Sequence, residues 1–242
     1  MNKKTLETNN ETVKSLFKRT SSGCRIIDGM LNGGYEPEII TTIYGPPGSG
    51  KTTICLQAIK SVVDSGDSAV YIDTEGSFSV ERFLQLYEDN DVGMKALKKI
   101  SIARPPHFED QNQAFLYLRE QMMPEVGILV VDSISMLYRT SLGNTKGTPE
   151  MSRELSRQVS LLIETAQKHK IPVLLTSQVY SSVDGSEKTR LYGGEFMKYA
   201  SKCLIELTYD QDTGERSMTL RKHRSIPAST PIQFKIAMTG IE

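Results

Sequence analysis

The chain has 242 residues, enough for one large domain or one domain with a small appendage. Its 29 basic residues balance 29 acidic ones, which excludes a strongly basic nucleic-acid binder and confines any DNA contact to local patches. Three scattered cysteines, Cys24, Cys55 and Cys203, form no CxxC pair; structural zinc and a disulfide frame are not expected, and a reducing, cytoplasmic setting is. In chain order, residues 1–20 are polar and locally basic, five basic residues against two acidic, and read as a flexible arm without a secretory segment. Ser22 is the expected cap of a helix running to Leu31, which Asn32-Gly33-Gly34 stops. Short apolar strands are then predicted at 39–44, 68–73, 99–103, 127–131 and 171–176. Helices are predicted at 50–64, 80–89, 110–122 and 150–168, the last opened by Thr148-Pro149. Apolar runs of strand length separated by helices predict a mostly parallel sheet with both faces covered, an α/β fold. After residue 200 the rhythm changes. Segments 202–209 and 217–222, joined by Asp210-Gln211-Asp212-Thr213-Gly214, read as an antiparallel hairpin, with one more strand at 232–237. No apolar run is long enough for a membrane span.

Residues 45–52 read GPPGSGKT and satisfy G-x-x-x-x-G-K-[ST] in full, with a predicted strand before and a helix after. Glycines in such a loop let the backbone wrap around phosphates, and the N–H groups opening the following helix point at them. Gly45, Pro46, Pro47, Gly48, Ser49, Gly50, Lys51, Thr52 and Thr53 form the candidate nucleotide cradle. Lys51 is placed on the β- and γ-phosphates and Thr52 on Mg²⁺. The strand Ile128-Leu129-Val130-Val131 ends in Asp132, which delivers a carboxylate to the same metal. Glu75 follows the strand Val70-Tyr71-Ile72-Asp73; there it is either a base for an attacking water or an exposed turn residue.

Together these pieces resemble the RecA/RadA recombinase superfamily. YIDTEGSF at 71–78 resembles that family's strand with its catalytic glutamate, which makes Glu75 catalytic beside Lys51. TSQV at 176–179 resembles the strand end with its γ-phosphate-sensing glutamine, here Gln178. GGEFMKYASKCLI at 193–205 and the opening SSGCRIIDGMLNGG also match in order. The resemblance covers roughly 20–242 and implies a RecA-like P-loop ATPase core over 21–242: a twisted, mainly parallel sheet flanked by helices, with a C-terminal antiparallel hairpin. Size and the ending KHRSIP bring it nearest to a short archaeal paralogue of RadA. By the same resemblance Arg82, in VER, stacks on adenine, although Ser79 and Val80 replace the family's preceding arginine and proline. No counterpart of the family's N-terminal helical domain is expected, and for its F-x-x-A tether the first twenty residues offer only Phe17 with Thr20.

The cluster LRKHRSIP at 220–227 carries Lys222 and Arg224 two residues apart, which puts both on one face of an extended strand. Such a K-x-R resembles the pair that KaiC-like and hexameric-helicase relatives insert into a neighbour's nucleotide site; the alternative is a solubilising edge. His223 is expected on the other face with a structural role. Stretches 138–148, with Arg139 and Lys146, and 181–192, with Lys188 and Arg190, sit where the family has its DNA-contacting loops, and weak, salt-sensitive DNA binding is expected. The resemblance implies ATP and Mg²⁺ as ligands, and as partners single-stranded or branched DNA, further copies of the chain, and a RadA-type recombinase or a Holliday-junction nuclease. Three functions stay open: a recombination mediator with slow ATP turnover, a DNA-stimulated recombinase, and a KaiC-like signalling ATPase or autokinase without DNA.

Overall fold

In the computed structural model the described residues are 18–142, 149–181 and 189–242. The elements follow in the order α1 (Arg25–Met30), β1 (Ile40–Tyr44), α2 (Lys51–Asp64), β2 (Ser68–Asp73), α3 (Val80–Leu84), α4 (Asn90–Leu97), β3 (Ile100–Ala103), α5 (Phe108–Gln121), β4 (Val126–Asp132), α6 (Met136–Leu142), α7 (Pro149–His169), β5 (Val173–Ser177), β6 (Val179–Ser181), β7 (Thr189–Leu191), α8 (Gly194–Ala200), β8 (Cys203–Tyr209), β9 (Arg216–His223), β10 (Ile232–Phe234), β11 (Ile236–Ala237) and β12 (Gly240–Ile241). One sheet has the strand order β10-β9-β8-β1-β5-β4-β2-β3. From β8 to β3 neighbouring strands are parallel, and β8-β9-β10 is antiparallel. The fold expected from the alternating pattern is therefore present, with its C-terminal hairpin.

Period-2 alternation sorts the central strands between two cores. Tyr71, Ile128, Val130 and Leu174 join Ile54, Ile59 and Val62 of α2 on one face. Ile72, Leu129, Val131 and Leu175 join Phe115 of α5 and Val159 and Leu162 of α7 on the other. Every parallel strand thus ends at the same edge, and β1, β2, β4 and β5 deliver their last residues to it.

Three local expectations are corrected. The first helix starts after Cys24 and has no side-chain cap. Ser22 instead donates to Asp28 Oδ1 at 2.6 Å and offers its own N–H to the same oxygen at 2.7 Å. The intervening Gly23 turns at φ 70°, and a Cβ there would lie 2.6 Å from the Gln57 carbonyl, so the chain is pressed onto α2. The expected helix at 80–89 stops at Leu84 and a second one begins at Asn90, capped by Asp89, whose carboxylate accepts from Asp91 N–H at 2.8 Å. Gly93 permits the close return, since a Cβ there would meet Leu84 at 2.8 Å. Finally, the expected loops are partly regular: 136–142 is helical, and β6 pairs with β7. Of the expected arm, 1–17 lies outside the described residues, while Thr20 exchanges backbone hydrogen bonds with Tyr35. No helix among the described residues is long and apolar enough to cross a membrane.

Candidate nucleotide site

The loop between β1 and α2 closes over the sheet's C-terminal edge. Gly48 and Gly50 take φ of 75° and 104°, a left-handed backbone that side chains rarely adopt. Lys51 opens α2 and folds inward, donating to the carbonyls of Gly45 at 2.9 Å and Pro46 at 2.8 Å. It is buried, and that burial lowers its pKa, opposed by the charges of Asp132 and Glu75. A cavity of about 310 Å³ lies along the loop, lined by Pro47, Gly48, Gly50, Lys51, Thr52, Thr53, Glu75, Asp132, Gln178 and Ile236. The expected cradle and the carboxylates thus share one space. Pro46 takes part through its carbonyl, and the Ser49 side chain is buried within the loop.

Asp132 is the centre of a buried hydroxyl cluster. Its Oδ2 accepts from Thr52 Oγ1 at 2.7 Å, Tyr71 OH at 2.7 Å and Ser77 Oγ at 3.1 Å; Oδ1 accepts from Thr176. Burial, reinforced by the Asp132 charge, pushes the Tyr71 phenol far above its ordinary pKa and keeps it a donor. One carboxylate and one threonine hydroxyl 2.7 Å apart form a hard oxygen pair. Among the described residues no group of three or more His, Cys, Asp or Glu gathers around a point. That chemistry fits Mg²⁺, which takes one or two protein oxygens and completes its shell with water and substrate phosphate.

Glu75 sits beside this centre on a turn held from below. Asp73, buried at the end of β2, accepts from the N–H groups of Ser77 at 2.8 Å and Phe78 at 3.3 Å, and from Arg104 Nε at 3.0 Å. Thr74 latches the turn to β4, donating to Ser133 O at 2.7 Å and accepting from Ser133 N–H at 2.9 Å. The Glu75 carboxylate then accepts from Ser133 Oγ at 2.5 Å and from Gln178 Nε2 at 3.1 and 3.3 Å. Gln178 Oε1 takes a hydrogen bond from Arg139, whose guanidinium lies 5.0 Å from the Tyr192 ring centroid. Of the two residues expected to act in hydrolysis, Gln178 therefore contacts Arg139, a residue expected to bind DNA, and Glu75 is linked to it through Gln178.

The other expected site residues lie apart from this group. Arg82 donates to the carbonyls of Ala237 at 2.7 Å and Met238 at 2.9 Å, in the turn between β11 and β12. Lys222 donates to Ser201 O at 2.9 Å and to Lys198 O, at the end of α8. Arg224 lies beyond the end of β9 and pairs with Glu36. His223 faces the same glutamate, with Nε2 3.6 Å from Oε2 and a side chain only 1% exposed. Lys146 and Lys188 fall outside the described residues, and Arg190 belongs to β7.

Sequence reading did not single out Asp73, Ser77, Ser133, Thr176 or Ile236. Asp73 carries a signal, an aspartate four residues before a serine in a glycine-containing turn. Ser133 and Thr176 carry none, because their value lies in strand neighbours far apart in the chain.

The model of the Rad51 family matches residues 14–242. The chain is 40% identical to the DNA repair and recombination protein RadB of Methanoculleus marisnigri, over 92% of this chain and 97% of that one. To the RadB of Methanococcoides burtonii it is 36% identical, over 95% of this chain and all of the other. A crystal structure of the RadB recombinase aligns with a TM-score of 0.78 at 33% identity, covering 92% of this chain and 98% of that one.

Proposed function

The chain belongs to the Rad51 family, with RadB proteins among its relatives, and on that premise we propose that it is an ATP- and DNA-binding accessory protein of homologous recombination and DNA repair, a mediator toward the main recombinase with slow ATP turnover. It acts in the cytoplasm, with residues 21–242 as one RecA-like core. The observation that carries the nucleotide reading is the Thr52 to Asp132 contact at 2.7 Å beside the buried Lys51. Glycine-loop N–H groups and Lys51 hold the phosphates, Thr52 and Asp132 hold Mg²⁺, and Arg82 stacks on the base. A magnesium ion held there would supply positive charge to offset that of the bound phosphates. Glu75 accepts a proton from the attacking water, oriented by Ser133, and Gln178 reports the γ-phosphate.

Arg139, Lys146, Lys188 and Arg190 contact DNA phosphates, and the Gln178 to Arg139 contact supports communication between DNA and nucleotide. Slow turnover is supported by the cation pair: Lys222 and Arg224 hold acceptors within their own chain and must leave them to complete a neighbour's site. The protein partner is a RadA-type recombinase; a Holliday-junction nuclease is the second candidate. Steady-state ATP hydrolysis with and without single-stranded DNA, at low and high protein concentration, tests the proposal. Slow turnover indifferent to both variables, alongside measurable ATP and DNA binding, is expected. Strong DNA stimulation rising with concentration identifies an assembling recombinase instead, and phosphate incorporated into the chain identifies an autokinase.

A further inference from the structure

The outer face of the phosphate loop rests on the β8–β9 hairpin. Arg216, opposite Tyr209 in the hairpin register, donates from Nε to the Gly48 carbonyl at 3.0 Å and from Nη1 to the Gly214 carbonyl at 3.0 Å. Its guanidinium lies 4.1 Å from the Tyr209 ring centroid. The same ring closes on Gly48, where a Cβ would come within 3.3 Å of it. A planar cation is thereby fixed on three sides, by a ring, a turn carbonyl and the loop.

The consequence follows from peptide geometry. In a trans peptide the carbonyl of Gly48 and the N–H of Ser49 point in opposite directions. Holding the carbonyl outward turns the N–H inward. The contacts agree: Ser49 N–H points at Pro46 O at 3.4 Å, the same oxygen that Lys51 Nζ reaches at 2.8 Å. With Gly48 and Gly50 on either side of Ser49, the long Ser49 N–H to Pro46 O contact at 3.4 Å is a weak local pin for that peptide plane, and the Arg216 contact on the Gly48 carbonyl reinforces it.

We propose that Arg216, stacked on Tyr209, is a positioning residue that braces the phosphate loop and fixes the Gly48–Ser49 peptide with its N–H toward the phosphates. The inference rests on the reading of this loop as a nucleotide cradle. Arg216 acts through the loop backbone rather than by touching the nucleotide, and its contribution depends on the fork and plane of the guanidinium rather than on charge alone.

The test is displacement of a ribose-labelled fluorescent ATP analogue by unlabelled ATP and by inorganic tripolyphosphate, on wild type, R216A, R216K and K51A, with thermal melting of each. Expected is a roughly tenfold loss of affinity for both competitors in R216A, the size of one charged-donor hydrogen bond. R216K should behave like R216A, and melting should stay near wild type. Wild-type affinity in R216A, or full recovery in R216K, overturns the brace while leaving the nucleotide reading intact, provided K51A is weakened. Wild-type affinity in K51A overturns the nucleotide reading itself. Should R216A fail to fold, Y209L, which keeps the guanidinium and removes its platform, carries the same test; unchanged affinity there counts against the brace.

Discussion

Two charged features of the chain behave in opposite ways. At the sheet's C-terminal edge, side chains from α2, from β2, β4 and β5 and from the residues just after these strands converge around one cavity, and most contacts there run between distant parts of the chain. In LRKHRSIP, four neighbouring residues go to three separate places: Arg221 pairs with Glu206, Lys222 caps the end of α8, and His223 and Arg224 face Glu36. A run of charge in sequence is thus dispersed in space, whereas scattered residues with small individual signals are collected. Convergence identifies a site here; local charge density does not.

Breaking the convergent region should have the largest effect. K51A should weaken ATP binding by at least about 100-fold, the loss of a buried charge-assisted contact, measured by titration calorimetry. E75Q should lower turnover by about 100-fold or more while leaving ATP affinity near wild type, because a general base acts on the chemical step; single-turnover hydrolysis separates the two. R139A tests the link between nucleotide and DNA: DNA affinity should fall and the effect of ATP on DNA binding should vanish, while turnover, indifferent to DNA, changes little. In the dispersed region, R224A should change stability by no more than about 1 kcal/mol, since its guanidinium is half-exposed and such pairs contribute little. A larger loss of turnover, growing with protein concentration, would instead establish the trans-acting role.

The smallest effect concerns His223. Burial, outweighing the charge of Glu36, lowers its pKa below the ordinary 6.5. As pH falls through that value the unfolded chain takes up a proton that the folded chain resists, so stability declines on acidification, down to the lowered folded-state pKa. Above 6.5 both states are neutral and the residue makes no difference. H223N should flatten this slope in chemical denaturation followed between pH 7 and 5.

Why some of this was legible in sequence and some was not follows from range. The phosphate loop is contiguous, and each of its residues has a local reason to be there, so GPPGSGKT announced its place. The strands were legible because both faces are buried and each reads as a short apolar run. The split at Leu84 was hidden because Gln85-Leu86-Tyr87 continues a helical pattern; only the return of α4, enabled by Gly93, ends it. The partners of Asp132 were hidden because Tyr71, Ser77 and Thr176 reach it only through strand order. The fate of Lys222 and Arg224 depended on a register shift between Leu204 and Ile205 and on where β9 ends, which alternation along a single strand does not reveal.

The most direct test of the central claim is ATP titration of wild type and D132N, each with and without Mg²⁺. The account predicts that magnesium tightens ATP binding to wild type and that D132N loses most of that gain while keeping its magnesium-independent affinity. Equal magnesium dependence in the two proteins would contradict the pairing of Thr52 and Asp132 as the metal's protein ligands.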